Sequence, residues 1–289
     1  DDLKKYYLAV ENAAQKTQTR LSFFEVMTAI AFFYFKEKRV DLAVLEVGMG
    51  GIYDATNICK SVVTAITSIS KEHTTHLGKT IESIAKNKAG TIKENQVCVL
   101  PKNGIPKKAE RVIQHIADNQ QSKIVKAEKV YLPLGLQGTF QQRNAGIAVA
   151  IVKELNNEGF KISKDAIKKG LKETYWPGRL EWIDKNILLD GAHNPEGLKT
   201  IIPEIRRIQK NFKRTTVVFG VLKDKEYEKM LKKIMRFMTY FPHNTELILT
   251  EPDTLRACPV NELIHMSKEI QQKSQKKSKK IHKIQITAE

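Results

Sequence analysis

The run Leu45–Asn57, LEVGMGGIYDATN, places a carboxylate, Glu46, at the end of an apolar stretch and directly before a glycine-rich turn. Ligands of open α/β sheets bind beyond the carboxyl ends of the strands. A carboxylate there, beside backbone without side chains, suits a hard cation held near phosphates. The spacing alone also fits a tight turn with a solvated Glu46. A second run, Ile66–Gly78, ITSISKEHTTHLG, brings Glu72, His73 and His76 past another apolar stretch. If the two stretches are adjacent parallel strands, Glu46 and His73 reach the same sheet edge and form a candidate pair. Cys59, Cys98 and Cys258 have no metal-ligand spacing and read as reduced packing thiols of a cytoplasmic protein.

The elements that must carry these residues alternate. VDLAVLEVG reads as a buried strand of a parallel sheet, after a helix, SFFEVMTAIAFFYFKEK, that is apolar on nearly all sides. VVTAITSIS, QVCVL and SKIVKA read as strands. TIESIAKNKAG reads as a helix with Thr80 as N-cap and Gly90 at its end. Further helices are expected over 107–120, in NAGIAVAIVKEL and in SKDAIKKGLKE. YWPGR then breaks the pattern, because a proline turns the residue before it away from helix. Beyond it, strands NILLD, TTVVFG and TELILT alternate with helices PEGLKTIIPEIRRI, KEYEKMLKKIMRFM and VNELIHMSKEIQQ, and HKIQIT reads as a last strand. The pattern predicts two α/β domains with mainly parallel sheets, residues 1–177 and 178–289.

The chain has 289 residues, 41% hydrophobic and 28% charged, which suits two globular domains. No apolar run is long enough to span a bilayer. The net charge of +17 is mostly lysine and concentrates in KEIQQKSQKKSKKIHK, without the interleaved aromatics a single-strand binder uses. It reads as a solvated basic surface, and no nucleic-acid partner is expected.

EVGMGGIYDATN, TSISKEHTTHLGKTIESIAKNKAGTIK, GTFQQRNAGIA, PGRLEWI, LLDGAHNPEG and VFGVLKDK follow one another in this order. The series resembles the folylpolyglutamate synthase/dihydrofolate synthase branch of the Mur ligase family, from about Leu21 to the helix after Val260. The resemblance implies a P-loop-NTPase-type central domain and a smaller Rossmann-like C-terminal domain. It implies a monomeric, ATP-dependent ligase that joins L-glutamate to a folate or pteroate carboxylate through an acyl phosphate. Glu46 and His73 match the family's Mg²⁺ ligands, and Lys88 matches a lysine that the family carbamylates, although its spacing alone leaves it a surface lysine. Asn144 matches a residue near the adenine, Arg179 an arginine on the phosphates, and Asp190 the residue on the ribose. His193 matches a residue near the nucleotide and the incoming glutamate. Ser22, Phe24, Asp54 and Ala55 match the lining of a pterin pocket.

The sequence also departs from the family pattern. Ile52 stands where the branch has Arg, Glu72 replaces Asp and Asn87 replaces Glu. The family's GTNGKGS-type phosphate loop, expected upstream of SFFE, and its Ser-Pro-His loop are not in this sequence. Efficient use of ATP is not expected without the phosphate loop, and residues omitted from the sequence explain the gap better than degeneration. Two other readings stand beside this one, a Mur-type ligase for a cell-wall precursor and a basic nucleic-acid-binding protein.

Overall fold

The structure, a computed structural model, describes residues 2–240, 245–277 and 285–288. Residues 278–284, which include the end of the basic stretch and the first half of HKIQIT, lie outside the described residues. The chain divides into two compact units, Asp1–Tyr131 with Arg143–Ile167, and Leu132–Gln142 with Lys168–Glu289. The Pro177–Gly178 break drawn from sequence therefore has residues of the second unit on both sides.

In the first unit, β1 (Val63–Ala65), β2 (Val97–Pro101) and β3 (Lys123–Ala127) form a parallel sheet in the order β1-β2-β3. Alternate residues of a strand face opposite sides. Cys98 and Leu100 accordingly join one core with Ile84, Ala85 and Ala89 of α4 (Ile81–Ala89) and Ile113 and Ala117 of α5 (Lys107–Asn119). Val99 faces the other way, onto Ile147 and Ala150 of α6 (Gln141–Asn157). Apolar residues throughout β2 are what a strand covered on both faces requires. Thr80 caps α4, accepting from the Ser83 amide at 3.0 Å, as the sequence predicts.

Two expectations fail in this unit. The run 42–47 has no regular secondary structure and joins no ladder, and Val44 is 90% exposed. A strand is held by a neighbour's N–H and C=O groups, and none of the described strands pairs with this run. The helix that contains SFFE forms as α2 (Phe23–Lys38) but is not buried all round. One face packs on α1 (Asp2–Lys16) through Tyr6, Val10 and Ile30, whereas Phe23, Phe33 and Tyr34 are exposed.

In the second unit, β6 (Thr215–Phe219), β7 (Thr245–Leu249) and β8 (Gln285–Ala288) form a parallel sheet. Leu247 and Leu249 pack with Met230, Leu231 and Met238 of α9 (Tyr227–Met238), with Leu198 and Ile201 of α8 (Pro195–Gln209) and with Leu263 of α10 (Val260–Lys277). NILLD contributes β5 (Ile187–Leu189), but it pairs antiparallel with β4 (Glu181–Asp184) in a hairpin. The short connection through Lys185 and Asn186 explains the sense of pairing, because parallel neighbours need a long crossover. The segment 132–142 belongs here because Phe140 packs on this core and Thr139 bonds to the buried Glu204 of α8. A helix, α7 (Lys164–Glu173), precedes the Pro177 turn.

Candidate active site

In the first unit the glycine-rich loop is closed by its own carboxylate. Asp54 accepts from the Met49 amide at 2.9 Å through Oδ2, and from the Thr56 amide and hydroxyl at 3.0 and 2.6 Å through Oδ1. It thereby caps a short 3₁₀ turn, Ala55–Ile58, with half-buried Ala55 as its first residue. The loop then docks on the last turn of α4. Ile52 N donates to Asn87 O at 3.1 Å, and Asn57 Nδ2 donates to Ile52 O and Gly90 O, each at 3.1 Å. A Cβ on Gly51 would lie 2.7 Å from Asn87 O and 2.8 Å from Lys88 O, so a side chain is excluded there.

That docking sets the loop beside Lys88, which lies in the last turn of α4. Its Nζ donates to Glu72 Oε1 at 2.8 Å, and both side chains are about three-quarters buried. Phe24 also meets the loop, since a Cβ on Gly48 would fall 2.5 Å from its ring. Ser22 is the N-cap of α2 in a reciprocal box with Glu25: its hydroxyl accepts from Glu25 N at 3.3 Å, and its amide donates to Glu25 Oε2 at 2.7 Å.

Glu46 is exposed at the end of the unpaired run 42–47. His73 is exposed eight residues past β1, directly before the one-turn helix α3 (Thr74–Leu77), with a left-handed backbone at φ 47°, ψ 39°. Such a conformation is uncommon for a residue other than glycine and concentrates at functional sites. The shared sheet edge expected for Glu46 and His73 is not formed by two paired strands. Among the described residues, no group of three or more His, Cys, Asp or Glu side chains is placed to hold a metal. Asn144 is exposed in the first turn of α6.

Sequence reasoning missed a cavity of about 330 Å³ beside that turn, lined by Lys102, Asn103, Ala127, Glu128, Tyr131 and Arg143, among others. The available signal was the polar PKNG directly after the apolar strand VCVL, where parallel sheets bind ligands.

In the second unit one turn gathers three of the candidates. Asp190 follows β5 and accepts from Leu180 N at 2.9 Å and Ala192 N at 2.8 Å, one with each oxygen. Gly191 N donates to Gly178 O at 2.7 Å, and a Cβ on Gly191 would stand 3.6 Å from Arg179 Nη1. His193 Nδ1 lies 2.9 Å from Gly191 O. Asn194 then caps α8, accepting from Gly197 N at 2.7 Å, and Pro195 opens the helix. Leu180 is buried with φ 47°, a strained backbone between Arg179 and the hairpin. Glu181 holds the preceding turn, accepting from the Tyr175 hydroxyl and from Gly178 N. Those hydrogen bonds, the tyrosine's first, keep its carboxyl below the usual range. Arg179 and His193 are exposed, and Asp190 is half-buried.

Residues 178–287 match the model for the Mur ligase, glutamate ligase domain. The chain is 37% identical over 247 residues to the dihydrofolate synthase/folylpolyglutamate synthase of Bacillus subtilis, covering 73% of this chain and 55% of that protein. It is 31% identical over 272 residues to the folylpolyglutamate synthase of Lacticaseibacillus casei, covering 85% of this chain and 62% of that one. The structure of Mycobacterium tuberculosis folylpolyglutamate synthase complexed with ADP superposes on the whole chain and 68% of its own, with a TM-score of 0.82 at 25% identity. The chain thus spans little more than half the length of the first of these curated relatives.

Proposed function

We propose, on the premise that this chain is a relative of the folylpolyglutamate synthases and dihydrofolate synthases of the Mur ligase family, that it is part of a cytoplasmic, monomeric, ATP-dependent ligase. The ligase adds L-glutamate to a folate or pteroate carboxylate. The observation that carries the reading is the turn in which Asp190 fixes the backbone on both sides, with Arg179 and His193 exposed beside it.

In this reading a substrate carboxylate oxygen attacks the γ-phosphorus of ATP, and ADP leaves. The amine of L-glutamate then attacks the carbonyl of the acyl phosphate. Phosphate departs, and the amine's proton is lost to solvent. The protein's part is positioning and charge stabilisation. The Arg179 guanidinium suits forked hydrogen bonds to phosphate oxygens. Each Asp190 oxygen keeps a lone pair for a ribose hydroxyl. Asn144 meets the adenine, and His193 lies near the incoming glutamate. Phe24 offers an aromatic face to the pterin, with Ser22, Asp54 and Ala55 lining the same pocket.

Glu46 suits a Mg²⁺ site as a hard oxygen donor, whereas the imidazole of His73 is a softer donor that enters through the family resemblance, and phosphates and water would complete the shell. When bound, the ion offsets phosphate charge. Carbamylation of Lys88 requires its contact with Glu72 to open, because a carbamate and a carboxylate repel. A ¹³C carbamate resonance in labelled bicarbonate, present in the native protein and lost in Lys88→Ala, tests it.

The activity test is phosphate release by the full-length protein with ATP, L-glutamate and dihydropteroate or tetrahydrofolate in turn. Release that needs both glutamate and a pterin acid is expected. Glu46→Ala and His73→Ala should each lower kcat by at least about 100-fold. Near-normal turnover in either variant overturns the metal assignment, and release without a pterin acid overturns the substrate class.

A further inference from the structure

Asn103 and Gly104 lie in the loop between β2 and α5, and no other asparagine of the chain is followed by glycine. Both are exposed in a run of bends. Lys102 N donates to Ala127 O at 2.8 Å, and Pro106 is the N-cap of α5, so the loop is pinned at both ends. Between those points, among the described residues, neither the Asn103 side chain nor the Gly104 amide makes a hydrogen bond. Gly104 has φ 103°, a backbone that glycine adopts freely, and it has no side chain to shield its own nitrogen.

Such a pair is reactive. Attack by an amide nitrogen on the preceding asparagine's Cγ closes a five-membered ring. Regular structure blocks the attack, because it engages the N–H and fixes the backbone. Asn57 and Asn156 are further restrained, since each Nδ2 donates to a backbone carbonyl. At Asn103 nothing equivalent intervenes. The Arg143 guanidinium also lies over Gly104, where a Cβ would stand 2.7 Å from Nη1. A cation at that range favours both the amide anion and the oxyanion formed on attack. Lys102 and Lys129 line the same cavity, and the opposing Glu128 is paired with Lys102.

We infer that Asn103 is a self-modification site, which deamidates in the native fold through the Gly104 amide with Arg143 promoting the attack. The Gly104 nitrogen gives its proton to hydroxide and bonds to Asn103 Cγ. The Cγ–Nδ2 bond breaks, and Nδ2 leaves as ammonia with a proton from water. Water then opens the succinimide. Cleavage at Cγ yields aspartate, and cleavage at the main-chain carbonyl carbon yields isoaspartate. No oxidant or reductant is needed. Either product places a carboxylate in a lining whose cations Lys129 and Arg143 favour its ionised form. Isoaspartate also lengthens the main chain by one methylene between β2 and α5.

The test incubates the full-length protein in mildly alkaline buffer and follows the peptide containing Asn103 by mass and by chromatography, which separates isoaspartate from aspartate. Asn103 should give both products ahead of every other asparagine, and faster as pH rises, because the amide anion is the nucleophile. Asn103→Gln would have to close a six-membered ring and should stay unmodified. Arg143→Met should slow the reaction at Asn103 several-fold. Arg143→Gln, equally uncharged, carries the test if Arg143→Met does not fold. No product at Asn103 in the folded protein, while the same protein in denaturant reacts there, overturns the inference. An equal or faster reaction in the Arg143 variant that folds overturns the part assigned to Arg143.

Discussion

Glu204 is only 5% exposed, yet it is a carboxylate. Burial alone would raise its pKa, but the Thr139 hydroxyl and amide and the Arg207 guanidinium more than offset this and hold it below the usual glutamate range. A depressed carboxyl stabilises the fold above its unfolded pKa, and the contribution fades as pH falls through the folded value. Glu204→Gln should therefore cost about 1–3 kcal/mol near neutrality. The gap to the native protein should close as pH drops below 4.5, the ordinary glutamate value. Urea unfolding of both proteins across that range checks it, and a constant gap would rule out an ionised Glu204. The thiols are equally sorted by position. Cys98 is fully buried and its pKa is pushed up to about 12 by that burial, and burial also raises Cys258. Cys59 is half-exposed. Iodoacetamide should alkylate Cys59 first under native conditions and reach the other two only in denaturant, read by peptide mass.

The docking of the glycine-rich loop on α4 is the element whose failure would be felt most widely, since it fixes the loop beside Lys88. A methyl on Gly51 meets two backbone carbonyls, which cannot swing aside as a side chain can. Gly51→Ala should cost about 1–3 kcal/mol. It should also speed hydrogen exchange at the Ile52 amide, which bonds to Asn87 O. Unchanged exchange there would show that the loop is held elsewhere. What sequence made legible follows the range of the interactions. β2 and α4 were readable because apolar patterning and a threonine cap act within a few residues. The turn around Asp190 is legible only in part: the resemblance points to Asp190 and His193 at one strand–helix junction, but the Asn194 cap comes from the structure. The composition of VDLAVLEVG predicts a strand, but pairing depends on a neighbour that composition does not specify. The attachment of 132–142 to the second unit was not legible either. It depends on Thr139 meeting Glu204, 65 residues away, and no local pattern encodes that contact.

At the scale of the whole molecule, 49 basic against 32 acidic residues leave a positive field that any polyanion will feel. The same field serves a ligase for phosphate-bearing and polycarboxylate substrates and a nucleic-acid binder, so charge alone does not separate them. Part of the described basic surface is already engaged. Lys229, Lys232 and Lys273 pair with Glu226, Glu228 and Glu269 along α9 and α10 or just before them. Such exposed pairs contribute little to stability, but they leave fewer free cations for phosphates. Binding to duplex DNA should therefore be weak and independent of sequence. Its apparent affinity should fall by orders of magnitude between about 50 and 200 mM salt, as measured by fluorescence anisotropy on two unrelated duplexes. Sequence-selective binding that persists at the higher salt would require base contacts that charge cannot provide. That result would transfer the role of the basic surface from substrate attraction to nucleic-acid recognition.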